Sequence, residues 1–90
     1  MGNDDGKPTL EFPCDFPIKV MGEAAPDFVL HVIEIVRRHV VDLDETRVQT
    51  RASSKGRYVS VTLPFTARSR GQLDALYTEL SSDPRISIVL

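Results

Sequence analysis

Ninety residues provide one hydrophobic core and leave nothing for a second domain, since a chain of this size buries only about 60–70% of its unfolded surface. Hydrophobic content of 41% and charged content of 27% are ordinary for a globular protein and exclude a low-hydrophobicity disordered chain. The net charge of −2 speaks against general affinity for nucleic acid, and the single cysteine, Cys14, rules out an internal disulfide and favours a reducing, cytoplasmic setting.

Residues 1–9 carry Gly, Asn, Asp, Lys and Pro without periodicity and read as a disordered tail. Met1 to Lys7 has neither the basic segment nor the apolar core of a secretory signal, and position 6 is Gly where myristoylation at Gly2 uses Ser or Thr. Leu10-Glu11-Phe12-Pro13 brings two apolar side chains before a proline, as expected of a segment pinned on the domain. From Phe16 the pattern alternates. Phe16, Ile18 and Val20 share one face and Pro17, Lys19 and Met21 the other, which predicts a first strand ending at Gly22.

Glu23-Ala24-Ala25-Pro26-Asp27 reads as a helix start, because proline fits the first turn and carboxylates suit its positive end. The helix is expected to reach about His39. Val29, Val32, Ile33 and Val36 form its apolar face, with Phe28 and Ile35 on a flank, and each large buried side chain contributes roughly 1.5–3 kcal/mol. Its longest apolar run, Phe28 to Ile33, is broken by His31 and falls far short of the roughly 20 residues of a membrane span. Arg37, Arg38 and His39 suit the negative end of the dipole.

The stretch from Thr46 to Thr66 predicts a hairpin. Thr46 to Ala52 forms its first strand, Ser53-Ser54-Lys55-Gly56 its turn, and Val59, Val61, Leu63 and Phe65 alternate with Tyr58, Ser60, Thr62 and Pro64 in a central strand. Pro64 lacks a ladder donor and therefore has to lie beyond its partner's end or at a bulge. Ser69 with Gln72 makes a capping box, followed by Leu73, Leu76, Tyr77 and Leu80 at helical spacing. After Ser81-Ser82-Asp83-Pro84, a last strand runs from Arg85 to Leu90 with Ile86, Ile88 and Leu90 expected inward.

The order strand, helix, strand, strand, helix, strand with right-handed crossovers gives an α+β, ferredoxin-like domain over residues 10–90. Its four-stranded antiparallel sheet has the order 4-1-3-2, with both helices on one face. The other face is then open. Alternation assigns to it Lys19, Met21, Arg47, Gln49, Arg51, Tyr58, Ser60, Thr62, Arg85, Ser87 and Val89, four of them basic and none acidic. Polar residues on an exposed face and cations on edge strands also protect a sheet against aggregation.

Two binding classes fit such a face. One is RNA binding, although base stacking uses two or three rings and Tyr58 is the single ring available. The other is a ligand-binding or protein-interaction module, in which the turn at Lys55, Gly56 and Arg57 offers cations and backbone amides to an anion or carboxylate. Catalysis has little footing, and no cofactor is expected. Cys14 has no evident base, His31 and His39 stand eight apart on one helix, Ser53 and Ser54 precede a strand rather than a helix, and no glycine-rich phosphate fingerprint occurs.

Two stretches, Leu10-Glu11-Phe12-Pro13-Cys14-Asp15-Phe16-Pro17-Ile18-Lys19-Val20-Met21-Gly22 and Ser53-Ser54-Lys55-Gly56-Arg57-Tyr58-Val59-Ser60-Val61-Thr62, resemble the YbeD-like family of small bacterial proteins of unknown function. Tyr77, Leu80 and the terminal Val89-Leu90 extend the likeness. The resemblance implies a stand-alone domain similar to ACT domains, which regulate amino-acid enzymes by binding small effectors between paired subunits. It also implies that Gly22, after the first strand, stands where a ligand approaches the backbone. The candidate ligand or partner surface is therefore Lys19, Met21, Gly22, Arg47, Arg51, Lys55, Gly56, Tyr58 and Ser60. A homodimer, a protein partner or a small anionic or amino-acid effector is expected.

Overall fold

Two ten-residue strands, β1 (Cys14–Glu23) and β3 (Tyr58–Ala67), form the axis of the computed structural model, which describes residues 11–90. The tail expected over residues 1–9, and Leu10, lie outside the described residues. Strands β1 and β3 pair antiparallel along their whole length, from Cys14 opposite Ala67 to Glu23 opposite Tyr58. Two short strands flank them, β2 (Gln49–Ala52) beside β3 and β4 (Ile86–Val89) beside β1, giving the order β2-β3-β1-β4. This is the expected ferredoxin-like sheet, counted from the opposite edge.

Helix α1 (Phe28–His39) and helix α2 (Arg70–Ser81) cover one face. The core joins Ile18 and Val20 of β1, Val61, Leu63, Phe65 and Ala67 of β3, and Leu73, Leu76 and Leu80 of α2 to the apolar side of α1. That side is turned from the expected one. Phe28 and Ile35 are fully buried, whereas Val29 is only half-buried and Leu30 is exposed, so the stripe centres on positions 28, 32, 35 and 36. Phe28 sits at the very start of the helix, where its ring fills the room left by the missing side chain of Gly22.

Prolines 17 and 64 face each other across the β1–β3 ladder. Strand β2 ends its pairing at Gln49 opposite Thr62, and the pairing of β4 with β1 stops at Lys19 and Leu90. Both prolines therefore lie beyond their outer neighbours, where no ladder donor is missed. Pro64 stands past its partner's end, one of the two places its chemistry allows.

Helix α2 begins on a side-chain cap. The Ser69 hydroxyl accepts from the Gln72 amide at 3.1 Å, while the Gln72 carbonyl oxygen reaches past Ser69 to accept from the Arg68 amide at 2.6 Å. The Gln72 amide group also donates to the His39 carbonyl at 2.8 Å, satisfying an end of α1. His39 and Arg38 both meet the Glu79 carboxylate, and His31 meets Asp83 at 2.6 Å, so polar contacts line the seam between the helices.

Two boundaries differ from expectation. Strand β2 starts at Gln49 rather than Thr46, because Asp44 accepts hydrogen bonds from both the amide and the hydroxyl of Thr46, at 3.0 and 2.5 Å, and winds Glu45–Arg47 into a single 3-10 turn. The Thr46 hydroxyl also holds the Asp44 carboxyl below its ordinary range. Strand β4 changes register against β1 between Met21 and Gly22, so that Ile86 lies opposite Gly22 and Ile88 opposite Met21. The extra residue, Ser87, breaks the alternation. Ile86 and Val89 consequently pack on the core, whereas Ile88 and Leu90 are exposed.

Candidate docking surface on the open sheet face

The register defines the uncovered face rung by rung. One rung runs Gln49, Thr62, Lys19, Leu90, and the next Arg51, Ser60, Met21, Ile88. Tyr58 and Glu23 oppose each other at the hairpin end, and Asp15 opposes Thr66 at the other. The face is thus divided lengthwise. Its β4 side is apolar, with Met21, Ile88 and Leu90, and its β2 side carries Arg51 and Gln49, with Lys19 between the two.

Five candidate residues come together. A shallow depression of about 230 Å³ is lined by Lys19, Met21, Arg51, Tyr58 and Ser60 together with Ala52, Ser53 and Val59. A second, of about 310 Å³, adjoins it through Lys19, Arg51 and Ser60 and extends over Gln49, Thr50 and Thr62. Ser60, buried in the middle of the sheet, directs its hydroxyl at the Arg51 carbonyl over a long 3.4 Å. Tyr58 remains 38% exposed and its ring is available to a ligand.

The other candidates lie elsewhere. Gly22 is buried, and a Cβ added there would stand 2.6 Å from the Phe28 ring and 2.4 Å from the Arg85 carbonyl oxygen. The space beside this glycine is filled by the chain itself. Arg47 belongs to the 3-10 turn and not to β2. Lys55 and Gly56 form the hairpin turn, where Gly56 takes a φ of 69° with open space around it. The Gly56 amide donates to the Ser53 carbonyl and the Tyr58 amide to the Ser53 hydroxyl, so both are occupied within the turn.

Arg85 and Val89, assigned to the open face by alternation, are not on it. Val89 packs on the core because of the Ser87 bulge. Arg85 instead closes the start of α1. Its guanidinium donates to both oxygens of Asp27, at 2.8 and 3.2 Å, and lies 5.9 Å from the centroid of the Phe28 ring. This hydrogen bonding holds the Asp27 carboxyl below its ordinary range and raises Arg85 further.

The expectation of four cations and no carboxylate on the open face is corrected accordingly. Lys19 and Arg51 are the cations there, and Glu23 and Asp15 share the same side of β1. Glu23, expected at a helix start, ends β1, as its parity with Lys19 and Met21 signals. Ile88 and Leu90, expected inward, are the exposed apolar residues that alternation could not find.

Charge pairing is uneven over the molecule. Arg37 pairs with Glu45, Arg38 with Glu79, Arg68 with Asp42 and Arg85 with Asp27. Among the described residues, no carboxylate forms such a pair with Lys19, Arg47, Arg51, Lys55 or Arg57. Also among the described residues, no group of three or more His, Cys, Asp or Glu side chains is placed to hold a metal ion, and no helix is long and apolar enough to cross a membrane.

Residues 7–90 match the family described as Protein of unknown function (DUF493). A UPF0250 protein of Paraburkholderia phytofirmans is 45% identical over 81 residues, covering 90% of this chain and 91% of its own. One from Chromobacterium violaceum is 44% identical over 88 residues, covering 98% and 99%. The likeness to the YbeD-like family drawn from residues 10–22 and 53–62 agrees with these matches. Among solved structures, protein HP0495 of Helicobacter pylori superposes with a TM-score of 0.72 at 14% identity, over 100% of this chain and 94% of that one. The ACT domain from the GTP pyrophosphokinase of Chlorobium tepidum superposes with a TM-score of 0.63 at 15% identity, over 84% of each chain. These two similarities establish an ACT-like fold.

Proposed function

We propose, from the premise that this chain belongs to the DUF493 family of proteins of unknown function, that it is a non-catalytic regulatory or interaction module that docks through the open face of its sheet. The observation that supports this reading most is the composition of that face, where Lys19 and Arg51 line two adjoining depressions, Tyr58 borders the first, and exposed Ile88 and Leu90 lie beside them opposite Met21 and Lys19. Apolar side chains next to cations suit a ligand or partner surface that carries both a hydrophobic and an anionic group. The partner is a protein surface, a second copy of this chain, or a small anionic or amino-acid effector, and the ACT-like fold favours an effector held between paired copies. A thermal-shift screen of the full chain against amino acids and anions, repeated with Arg51→Glu and Tyr58→Ala, tests it. Stabilisation by a ligand that either substitution abolishes is the expected outcome. If the variants fold and respond to every ligand as the parent does, the face is merely solvated. Light scattering during the same screen reports whether the bound form is a pair.

A further inference from the structure

We infer that the exposed edge of β2 receives an extended acidic peptide segment of a partner protein as an added strand. This inference rests on the docking reading above and names the partner's chemistry. Three observations lead to it. First, Thr46 to Arg57 contains Arg47, Arg51, Lys55 and Arg57 and no carboxylate, in a protein whose net charge is −2. Every one of these cations lacks an ion-pair partner among the described residues, as do Lys19 and Arg70, whereas the arginines of α1, of the strand-to-helix link after β3 and of the segment before β4 are paired.

Second, among the described residues no strand pairs with the outer edge of β2. All four of its residues are exposed, and the pairing with β3 turns the backbone groups of Gln49 and Arg51 inward, leaving those of Thr50 and Ala52 directed outward. Unpaired outward amides and carbonyls are what an added strand uses, and alternate side chains of that strand then supply specificity. Third, the depression bordered by Gln49, Arg51 and Lys19 lies on the open face directly inside this edge. A carboxylate on every second residue of the incoming strand would face Arg51 from there.

The same cations discriminate against other occupants. A second β2 pairing antiparallel would bring the Arg51 side chains of two copies close together, and like charges opposed across a ladder destabilise it. Nucleic acid would find one exposed ring, Tyr58, with Glu23 opposite it, where single-strand binding relies on several rings in an unbroken basic groove.

The test is amide mapping and hydrogen exchange on the full chain, titrated with a synthetic peptide of alternating glutamate and threonine. A lysine–threonine peptide and an oligouridine serve as comparators. The expected result is slowed exchange at Thr50 and Ala52 with the acidic peptide alone, weakened on the order of tenfold by Arg47→Glu combined with Arg51→Glu and weakened again by added salt. Equal binding of the lysine peptide, tighter binding of the oligouridine, or no protection of Thr50 and Ala52 at millimolar peptide overturns the inference. Shifts at Met21, Ser60 and Ile88 without protection of the edge would leave the docking reading standing and remove the edge. Silence of both sets against all probes and against the effector screen removes both.

Discussion

Gly22→Ala separates a glycine kept for packing from one kept open for a ligand. The added methyl would stand 2.4 Å from the Arg85 carbonyl oxygen and 2.6 Å from two atoms of the Phe28 ring, well inside any real carbon contact. Neither neighbour yields easily. Phe28 is fully buried, and the Arg85 carbonyl is backbone held next to Ile86, which pairs with Gly22 itself. Overpacking of this kind costs about 1–3 kcal/mol, and a backbone neighbour that cannot rotate away puts Gly22→Ala at the upper end. In a domain of this size that lowers the melting temperature by roughly 10 °C or more. Gly71→Ala is the internal control, because its nearest neighbour is the Ser69 hydroxyl at 3.9 Å and it lies on the exposed side of the first turn of α2. There the same substitution is expected to stabilise by some tenths of a kcal/mol up to about 1 kcal/mol. Urea unfolding followed by circular dichroism measures both. Phe28→Leu in the Gly22→Ala background removes the clashing ring atoms, so the double variant should lose less than the sum of the single losses. A Gly22→Ala protein within about 0.5 kcal/mol of the parent would refute the packing role and return Gly22 to the ligand site.

Further outcomes follow from single contacts. Ser69→Ala removes the cap on the Gln72 amide and is expected to destabilise by about 1 kcal/mol in the same unfolding assay. Val89→Ala should cost about 1–2 kcal/mol and Ile88→Ala less than about 0.5 kcal/mol, because the bulge turns the first inward and the second outward; equal losses would contradict the register. The acid limb of stability carries the signs of Glu79 and Asp83. The His39 hydrogen bond holds Glu79 below 4.5, and for Asp83 burial acts upward but is outweighed by the Arg85 amide and His31, which leave it below 3.8. Carboxyls depressed in the folded state stabilise it above their ordinary values and lose that stabilisation as the pH falls through the folded ones. Unfolding free energy should therefore hold steady from neutral pH to about pH 5 and drop below it. Glu79→Gln should flatten that drop.

Most of the fold is legible in the sequence because it rests on local chemistry. The alternation of β3, the Ser69 cap and the Gly56 turn each declare themselves within a few residues. The 3-10 turn at Glu45–Arg47 is hidden by a competing local bond, that of Asp44 with Thr46, inside a stretch whose β-forming residues read as strand. The site is less legible. Lys19, Met21, Tyr58 and Ser60 follow from parity on the two long strands and Arg51 from parity on the short β2, and they do assemble. The β4 side of the same face depends on one bulged residue, Ser87, and a single-residue slip exchanges inward and outward side chains all along a strand. Arg85 escapes parity for another reason: its partner, Asp27, is 58 residues away in sequence.

The most direct measurement of docking through the open face is an amide-shift map of the labelled full chain, recorded with whichever effector stabilises it in the thermal screen. Docking there predicts shifts grouped at Met21, Arg51, Tyr58, Ser60 and Ile88, with Leu30, Asp74 and Thr78 on the helical side unmoved. Shifts confined to the helical side, with the sheet residues still, would contradict it.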